Sequence, residues 1–266
     1  GPADPIINHP DVRRMLLTQK AFAEGNRALA VYAMKLVDIS QANQDEGAKQ
    51  LAESKLALLT PIVKAFLTET AQETTSYGMQ VFGGHGFIKE WGMEQLARDT
   101  RICTMYEGTT GIQAVDLLAR KVIGSNGKLL TIFTNEVKEY CKSIRDKSQF
   151  NAWSNSIDTH VDEWHQITED IMLRAAKNPA ELGAASVDYL MYSGYVVVGY
   201  FWLRMAVVAQ QKLDEGTSEP EFYQAKLHTT KFYFDRLLTR SRSLVSAMES
   251  GADNLMNMEE EQFNIV

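Results

Sequence analysis

Residues 12–37 read VRRMLLTQKAFAEGNRALAVYAMKLV. Their apolar positions Met15, Leu16, Phe22, Ala23, Leu29, Ala30, Ala33, Met34 and Val37 recur at intervals of three and four. That spacing lines one face of an α-helix and differs from the two-residue alternation of a half-buried strand. Asp11, directly after Pro10, is placed to help cap the helix start. The same period returns on the far side of a short polar stretch, so residues 48–81 read as a second long helix, which Pro61 is expected to kink or divide. Residues 93–105 and 109–122 read as shorter helices. Residues 129–144, 155–176, 180–213 and 219–250 follow as helices joined by turns near Ser148, Pro179 and Gly216. No segment shows convincing strand alternation, and no fixed-period repeat is present. The expected fold is therefore all-α: a helical bundle over 1–125, then a second helical bundle over 126–266. The boundary is placed at the loop Gly124-Ser125-Asn126-Gly127. The tail, 254–266, is acidic and then apolar.

Composition narrows the function classes. A net charge of −7 argues against nucleic-acid binding, which needs clustered Lys and Arg on phosphates; it leaves a phosphorylated small molecule open, because a local site can oppose the global sign. Cys103 and Cys141 stand apart with no CxxC or Cys/His ligand spacing, so reduced thiols in a cytoplasmic protein are expected, with no structural zinc. Gly1-Pro2-Ala3-Asp4-Pro5 has neither the basic nor the apolar region of a signal peptide. Gly1-Pro2 is expected to be an engineering scar, with the natural chain starting further upstream. The longest apolar run, 189–203, spans fifteen residues, short of the ~20 that cross a bilayer, and reads as a buried helix with no transmembrane segment expected. His160 and His165 sit five apart, roughly 140° around a helix at ~100° per residue, so no metal site is expected there. Trp153, Trp164 and Trp202 read as packing residues.

Two helix breaks lie close together in residues 77–121, YGMQVFGGHGFIKEWGMEQLARDTRICTMYEGTTGIQAVDLLARK. Gly83-Gly84-His85-Gly86 must turn, and its bare backbone could approach a phosphate. Without G-x-G-x-x-G or a preceding strand, a plain helix–helix turn explains it as well. His85 is read as a turn residue. The second break puts Glu107 and Gly108 before a helix that Thr109 or Thr110 could cap, with free amides suited to an anion. Glu107 could be an ordinary acid near a helix start. Alternatively, between Met105 and Tyr106, it could be a partly desolvated carboxylate with a raised pKa, suited to taking a proton. Spacing does not choose between these.

The run closely resembles the acyl-CoA dehydrogenase signature, in which a Q-x-x-G-G-x-G-[FY] loop, an R-D-x-[KR]-I helix and a Y-E-G-T-x-x-I-Q turn follow in order. Here they are Gln80-Val81-Phe82-Gly83-Gly84-His85-Gly86-Phe87, Arg98-Asp99-Thr100-Arg101-Ile102 and Tyr106-Glu107-Gly108-Thr109-Thr110-Gly111-Ile112-Gln113. His9-Pro10-Asp11-Val12-Arg13-Arg14-Met15 and the segment beyond Lys128 resemble the larger bacterial members, which carry an additional C-terminal helical domain. The resemblance implies that Glu107 removes the α-proton of an acyl-CoA thioester, a flavin (FAD) accepting the β-hydrogen to leave the trans-2-enoyl-CoA, a step of β-oxidation. It implies that Gly108 lies against the thioester and that Thr109, Thr110 and Gly111 contact FAD near its pyrophosphate. Gln80, Val81, Phe82, Gly83 and Gly84 would contact the adenosine and pyrophosphate of an FAD held mainly by a neighbouring subunit. A homodimer or tetramer, with an electron-transfer flavoprotein as electron acceptor, is implied in turn.

One departure from the family pattern is large. The N-terminal helical domain, the β-rich middle domain that holds most of the flavin contacts, and the arginine-containing helix usually preceding this region are not seen. The chain is therefore expected to be a C-terminal fragment, inactive alone. A non-catalytic helical oligomerisation module retaining the signature, and an oxidase-like or thioether-acyl variant of the same scaffold, remain as alternatives.

Overall fold

The structure is a computed structural model that describes residues 1 and 3–264. Pro2, Ile265 and Val266 lie outside the described residues, and with them half of the Gly1-Pro2 pair and the end of the apolar tail. The described chain is all-α, with no strand among the described residues. Helix α1 (Pro10–Ala42) starts with proline at its first position and His9 before it. Asp11 does not cap it; its carboxylate instead pairs with Arg14 one turn on, at 2.8 Å. Asp45 caps α2 (Glu46–Val81) by accepting from the Gly47 amide at 2.8 Å, and the two long helices lie side by side. Pro61 does not divide α2. It is buried with Leu58, Leu59 and Ile62, and that burial offsets the roughly 3 kcal/mol that an interior proline costs.

After one turn of helix, α3 (Gly84–Phe87), come α4 (Met93–Cys103) and α5 (Thr110–Val115). The chain continues from α5 into a widened π-helical stretch, Asp116–Val122. Next are α6 (Lys128–Ser143), α7 (Asn151–Ala175), α8 (Ala180–Asp214) and α9 (Pro220–Phe232). The predicted helix over 219–250 is interrupted by a second π-helical stretch, Tyr233–Leu237, before α10 (Ser241–Glu249). α11 (Asp253–Met256) and the tail stay on the surface, with Leu255, Met256, Met258 and Phe263 exposed.

Helix α8 is the axis of the fold. It has the length and composition of a membrane span, so the fifteen-residue argument is too short for it: the helix runs 35 residues with a mean hydropathy of 1.2 in its most apolar window. That window is 78% buried inside the protein, which makes α8 a core helix. Glycines let its neighbours approach closely. A Cβ on Gly25 of α1 would stand 2.6 Å from the Val198 side chain and 2.7 Å from the Trp202 ring nitrogen; one on Gly194 would stand 2.1 Å from the Phe66 ring. The buried cluster joins Phe22, Phe66 and Leu117 to Phe133, Trp164 and Trp202, so the core runs across the 125–126 boundary. Trp153 stacks on Phe234 at 5.5 Å. His165 meets the Thr134 hydroxyl while His160 meets Ser156 O and Ser241, so the two rings serve separate partners.

A polar knot crosses the same boundary. Glu136 of α6 accepts from Lys55 of α2 (2.5 Å), Tyr32 of α1 (2.7 Å) and Tyr200 of α8 (3.1 Å). Burial pushes the Glu136 carboxyl up, but the hydrogen bonds from Lys55 and Tyr32 and the Lys55 charge outweigh it and hold the pKa below the usual carboxylate value. A carboxylate lowered in the folded state contributes stability above its unfolded pKa, about 4.3. That contribution is lost as pH falls through the lower folded value. Glu136→Gln is therefore expected to lower the urea midpoint at pH 7, with the gap to the parent chain closing as the titration is repeated below about pH 4; a gap independent of pH would contradict this account.

Candidate active site

Helix α2 positions both helix breaks. At its end, Gln80 is exposed, Val81 is the last helical residue and Phe82 follows as the cap. Gly83 then takes φ 60° and ψ −143°, a conformation that only glycine adopts without strain. A Cβ on Gly83 or Gly84 would meet nothing within 4 Å, whereas one on Gly86 would lie 2.3 Å from the Met79 carbonyl oxygen. The loop is thus folded tightly onto the helix end at Gly86 and open to a ligand at Gly83 and Gly84. His85 sits against Trp91, ring centroids 5.1 Å apart.

The second break forms a strained turn. After Thr104, which is buried, the chain exposes Met105, Tyr106 and Glu107. Glu107 has φ 55° and Gly108 φ 93°. For a residue with a Cβ, the left-handed region costs about 1–2 kcal/mol, so surrounding bonds must hold it. The Gln113 side-chain amide donates to the Glu107 carbonyl at 3.1 Å. The Lys64 ammonium of α2 donates to the Gly108 carbonyl at 2.5 Å. The Thr110 amide donates to Thr104 O at 3.2 Å, and the Thr110 hydroxyl donates to Glu69 of α2 at 2.5 Å. Thr109 is the cap of α5, accepting from the Ile112 amide at 3.3 Å. Glycine is favoured at 108 by its φ of 93°, a backbone that side chains rarely adopt.

Of the two readings of Glu107 left open by the sequence, a desolvated carboxylate is not what this chain by itself provides. Glu107 is exposed, and Met105 (45%) and Tyr106 (51%) face outward beside it. Cys103 and then Glu107 hold the Tyr106 phenol above its usual pKa, so it stays neutral. Apolar side chains flank both turns: Phe87 is 80% exposed, and Trp91, Leu96, Ile102 and Ile112 are all exposed. Apolar exposure on this scale marks an interaction surface.

The structure brings Glu107, Gly108, Thr109, Thr110 and Gly111 together in one turn. It does not bring them to Gln80, Val81, Phe82, Gly83 and Gly84. The turn is tied to α2 at Lys64 and Glu69, and Gln80 lies roughly 16 Å further along that helix at 1.5 Å per residue. Lys64 and Glu69 went unread in the sequence. Neither belongs to a motif, and they reach the turn across separations of 44 and 41 residues.

Comparison with known proteins covers nearly the whole chain. The family "Acyl-CoA dehydrogenase, C-terminal domain" matches residues 3–123, and "Acetyl-CoA dehydrogenase C-terminal like" matches residues 133–259. The 3-methylmercaptopropionyl-CoA dehydrogenase of Ruegeria pomeroyi is 36% identical over 96% of this chain and 43% of its own length. The broad-specificity linear acyl-CoA dehydrogenase FadE5 of Mycobacterium tuberculosis is 32% identical over 99% of this chain and 44% of its own. The chain thus spans less than half the length of the curated relatives it matches. Among solved structures, Caenorhabditis elegans ACDH-11 in complex with C11-CoA superposes with a TM-score of 0.63 at 16% identity, over 85% of this chain and 36% of that one. An acyl-CoA dehydrogenase of Bacillus anthracis complexed with FAD superposes at 0.53 and 16% identity, over 97% and 44%. At such identities these two carry the fold alone.

Proposed function

The chain belongs to the acyl-CoA dehydrogenase family, and on that premise we propose that it is the C-terminal part of a longer FAD-dependent enzyme in which Glu107 is the base that takes the α-proton of an acyl-CoA thioester. The observation that carries this reading is the backbone at Glu107: a non-glycine residue at φ 55°, pinned from both sides by Gln113 and Lys64 and presented outward. Strain of this kind persists where the surroundings over-determine it, and such places cluster at reactive sites.

The residues fit the cofactor. Gly83 and Gly84 offer open, side-chain-free backbone, and Thr109, Thr110 and Gly111 form the start of α5, where the Thr110 and Ile112 amides are taken by Thr104 O and the Thr109 hydroxyl and the helix dipole still favours an anionic group. Gln80, Val81, Phe82, Gly83 and Gly84 would hold the adenosine and pyrophosphate end of an FAD shared with a neighbouring subunit, which accounts for the distance between the two sets of residues along α2. FAD, when bound, supplies the acceptor for the β-hydrogen. Gly108 faces the thioester, its carbonyl held by Lys64. The exposed apolar side chains around both turns are covered by the remainder of the enzyme or by a second subunit, and that covering removes water from Glu107 and raises its basicity toward the α-proton. The assembly is a homodimer or tetramer delivering electrons to an electron-transfer flavoprotein. Residues 126–266 form the additional helical domain, packed on 1–125 through α8.

The direct test is the visible spectrum of the purified chain with FAD, before and after short-, medium- and long-chain acyl-CoAs. The expected result is no retained flavin and no bleaching for the chain alone, against bleaching by the longer enzyme. A longer enzyme that binds FAD but never bleaches with any acyl-CoA would overturn the reading and favour a non-catalytic module. Lys64 is a positioning residue, and Lys64→Met in the longer enzyme is expected to lower kcat by about 10²-fold with little change in KM, since a 1 Å misplacement of a reacting group costs that much. Lys64→Arg should restore part of the loss. An unchanged kcat in Lys64→Met would show that the Glu107 turn holds its shape without the ammonium.

A further inference from the structure

A groove of about 550 Å³ lies between α1, α8 and α9, and none of its lining residues belongs to the Glu107 turn or to the segments that hold it. Ala28, Val31, Met205, Val208 and Phe222 give it an apolar floor, with Val31, Val208 and Phe222 each 53% exposed. Arg27, Lys35, Arg204 and Lys226 surround that floor. The one acid in the lining, Glu24, is already engaged by Lys20 at 2.6 Å and by Lys226 at 2.8 Å. Among the described residues, Arg27, Lys35 and Arg204 have no carboxylate within salt-bridge reach. A chain of net charge −7 has carboxylates to spare, so three free cations around one apolar floor is a local reversal of its charge.

Arg204 is the most informative of them. Its guanidinium is held over the rings of Tyr140, Tyr200 and Phe201 at 5.6, 5.5 and 5.9 Å, which fixes the fork without using its N–H donors. A guanidinium restrained in this way loses little further freedom when it takes a planar bidentate acceptor. We propose that the groove binds a small amphiphile with a carboxylate head and a slender apolar chain, the head on Arg204 and the chain along Val31, Val208 and Phe222. The cavity volume falls within the roughly 300–1,000 Å³ of small-molecule sites, and the cations supply the charge complementarity that selects an anionic head. The site does not depend on the Glu107 chemistry.

The test is calorimetric titration of the chain with decanoate, decan-1-ol and decyltrimethylammonium at about 0.15 M salt, where exposed charges are largely screened. Saturable binding of decanoate at one site is expected, about 10- to 100-fold tighter than the alcohol, as follows from loss of a charged hydrogen-bonding group, with no binding of the cation. Arg204→Gln should weaken decanoate by a similar factor. Val208→Glu, at an exposed position that perturbs no packing, should abolish decanoate binding and leave the melting temperature unchanged. Equal affinity for the alcohol, unchanged affinity in both variants, or no saturation below millimolar decanoate would overturn the proposal. So would a longer enzyme that fails to bind decanoate where the chain alone binds it, because the groove would then be the seat of another part of that enzyme.

Discussion

Glu107→Gln in the longer enzyme is expected to lower kcat by about 10²- to 10⁴-fold, the range that a positioned general base contributes, with flavin content and melting temperature unchanged. The amide has the size of the carboxylate and leaves the backbone bonds of the turn intact, since Gln113 and Lys64 act on the carbonyls of Glu107 and Gly108 and not on the Glu107 side chain. A second substitution separates the strain from the chemistry. Glu107→Gly keeps φ 55° without the cost of a Cβ, about 1–2 kcal/mol, so it should raise or preserve stability while removing turnover as completely as Glu107→Gln. Stability and activity moving in opposite directions at one residue would mark strain kept for function. Full turnover by Glu107→Gln would sink the base assignment and leave the family membership untouched, because that rests on the whole chain.

The helices were legible because each buries one stripe, and three-and-four spacing survives in the sequence whatever the helix packs against. Thus α1, α2 and α6 begin and end within a few residues of their predicted limits. What was not legible depended on partners distant in sequence. Pro61 reads as a breaker until its neighbours Leu58, Leu59 and Ile62 are seen buried. Two glycines of α8 have a packing role that only the fold reveals: Gly194 admits the Phe66 ring and Gly199 admits Ile157. The two π-helical stretches, Asp116–Val122 and Tyr233–Leu237, leave the apolar period nearly unchanged and so leave no trace in it. At the site, the motif residues of the Glu107 turn were readable in their order, but the clamps Lys64 and Glu69 come from α2 and the left-handed backbone of Glu107 is visible only once the turn is built. Phe87, Trp91, Leu96, Ile102 and Ile112 near both breaks are exposed in the fold, and the sequence pattern does not distinguish such uncovered apolar positions from buried ones.

Trp202→Ala in the chain itself is expected to cost about 3–5 kcal/mol, the usual range for truncating a large buried aromatic residue, against a total stability on the order of 5–15 kcal/mol for a folded domain. Trp202 is fully buried on α8. Its indole N–H donates to the Ala21 carbonyl of α1 at 3.1 Å across 181 residues of sequence, and its ring approaches Gly25 closely enough that a Cβ there would clash. The tryptophan therefore belongs to 126–266 by sequence and to 1–125 by contact. If the two segments fold as one cooperative unit, urea denaturation of Trp202→Ala will show a single transition, shifted to lower denaturant with an unchanged slope, and the same midpoint by fluorescence and by circular dichroism. If residues 1–125 form an independent bundle, a transition at the parent midpoint will persist in the variant and only the other will move. The glycine-mediated contacts at Gly25 and Gly194 and the knot at Glu136 all cross the same boundary, and each would be left half-made if either segment unfolded alone. The single transition follows from that arrangement, and it makes the position of α1 and α2, and with them the Glu107 turn that Lys64 and Glu69 anchor, dependent on the helices beyond residue 126.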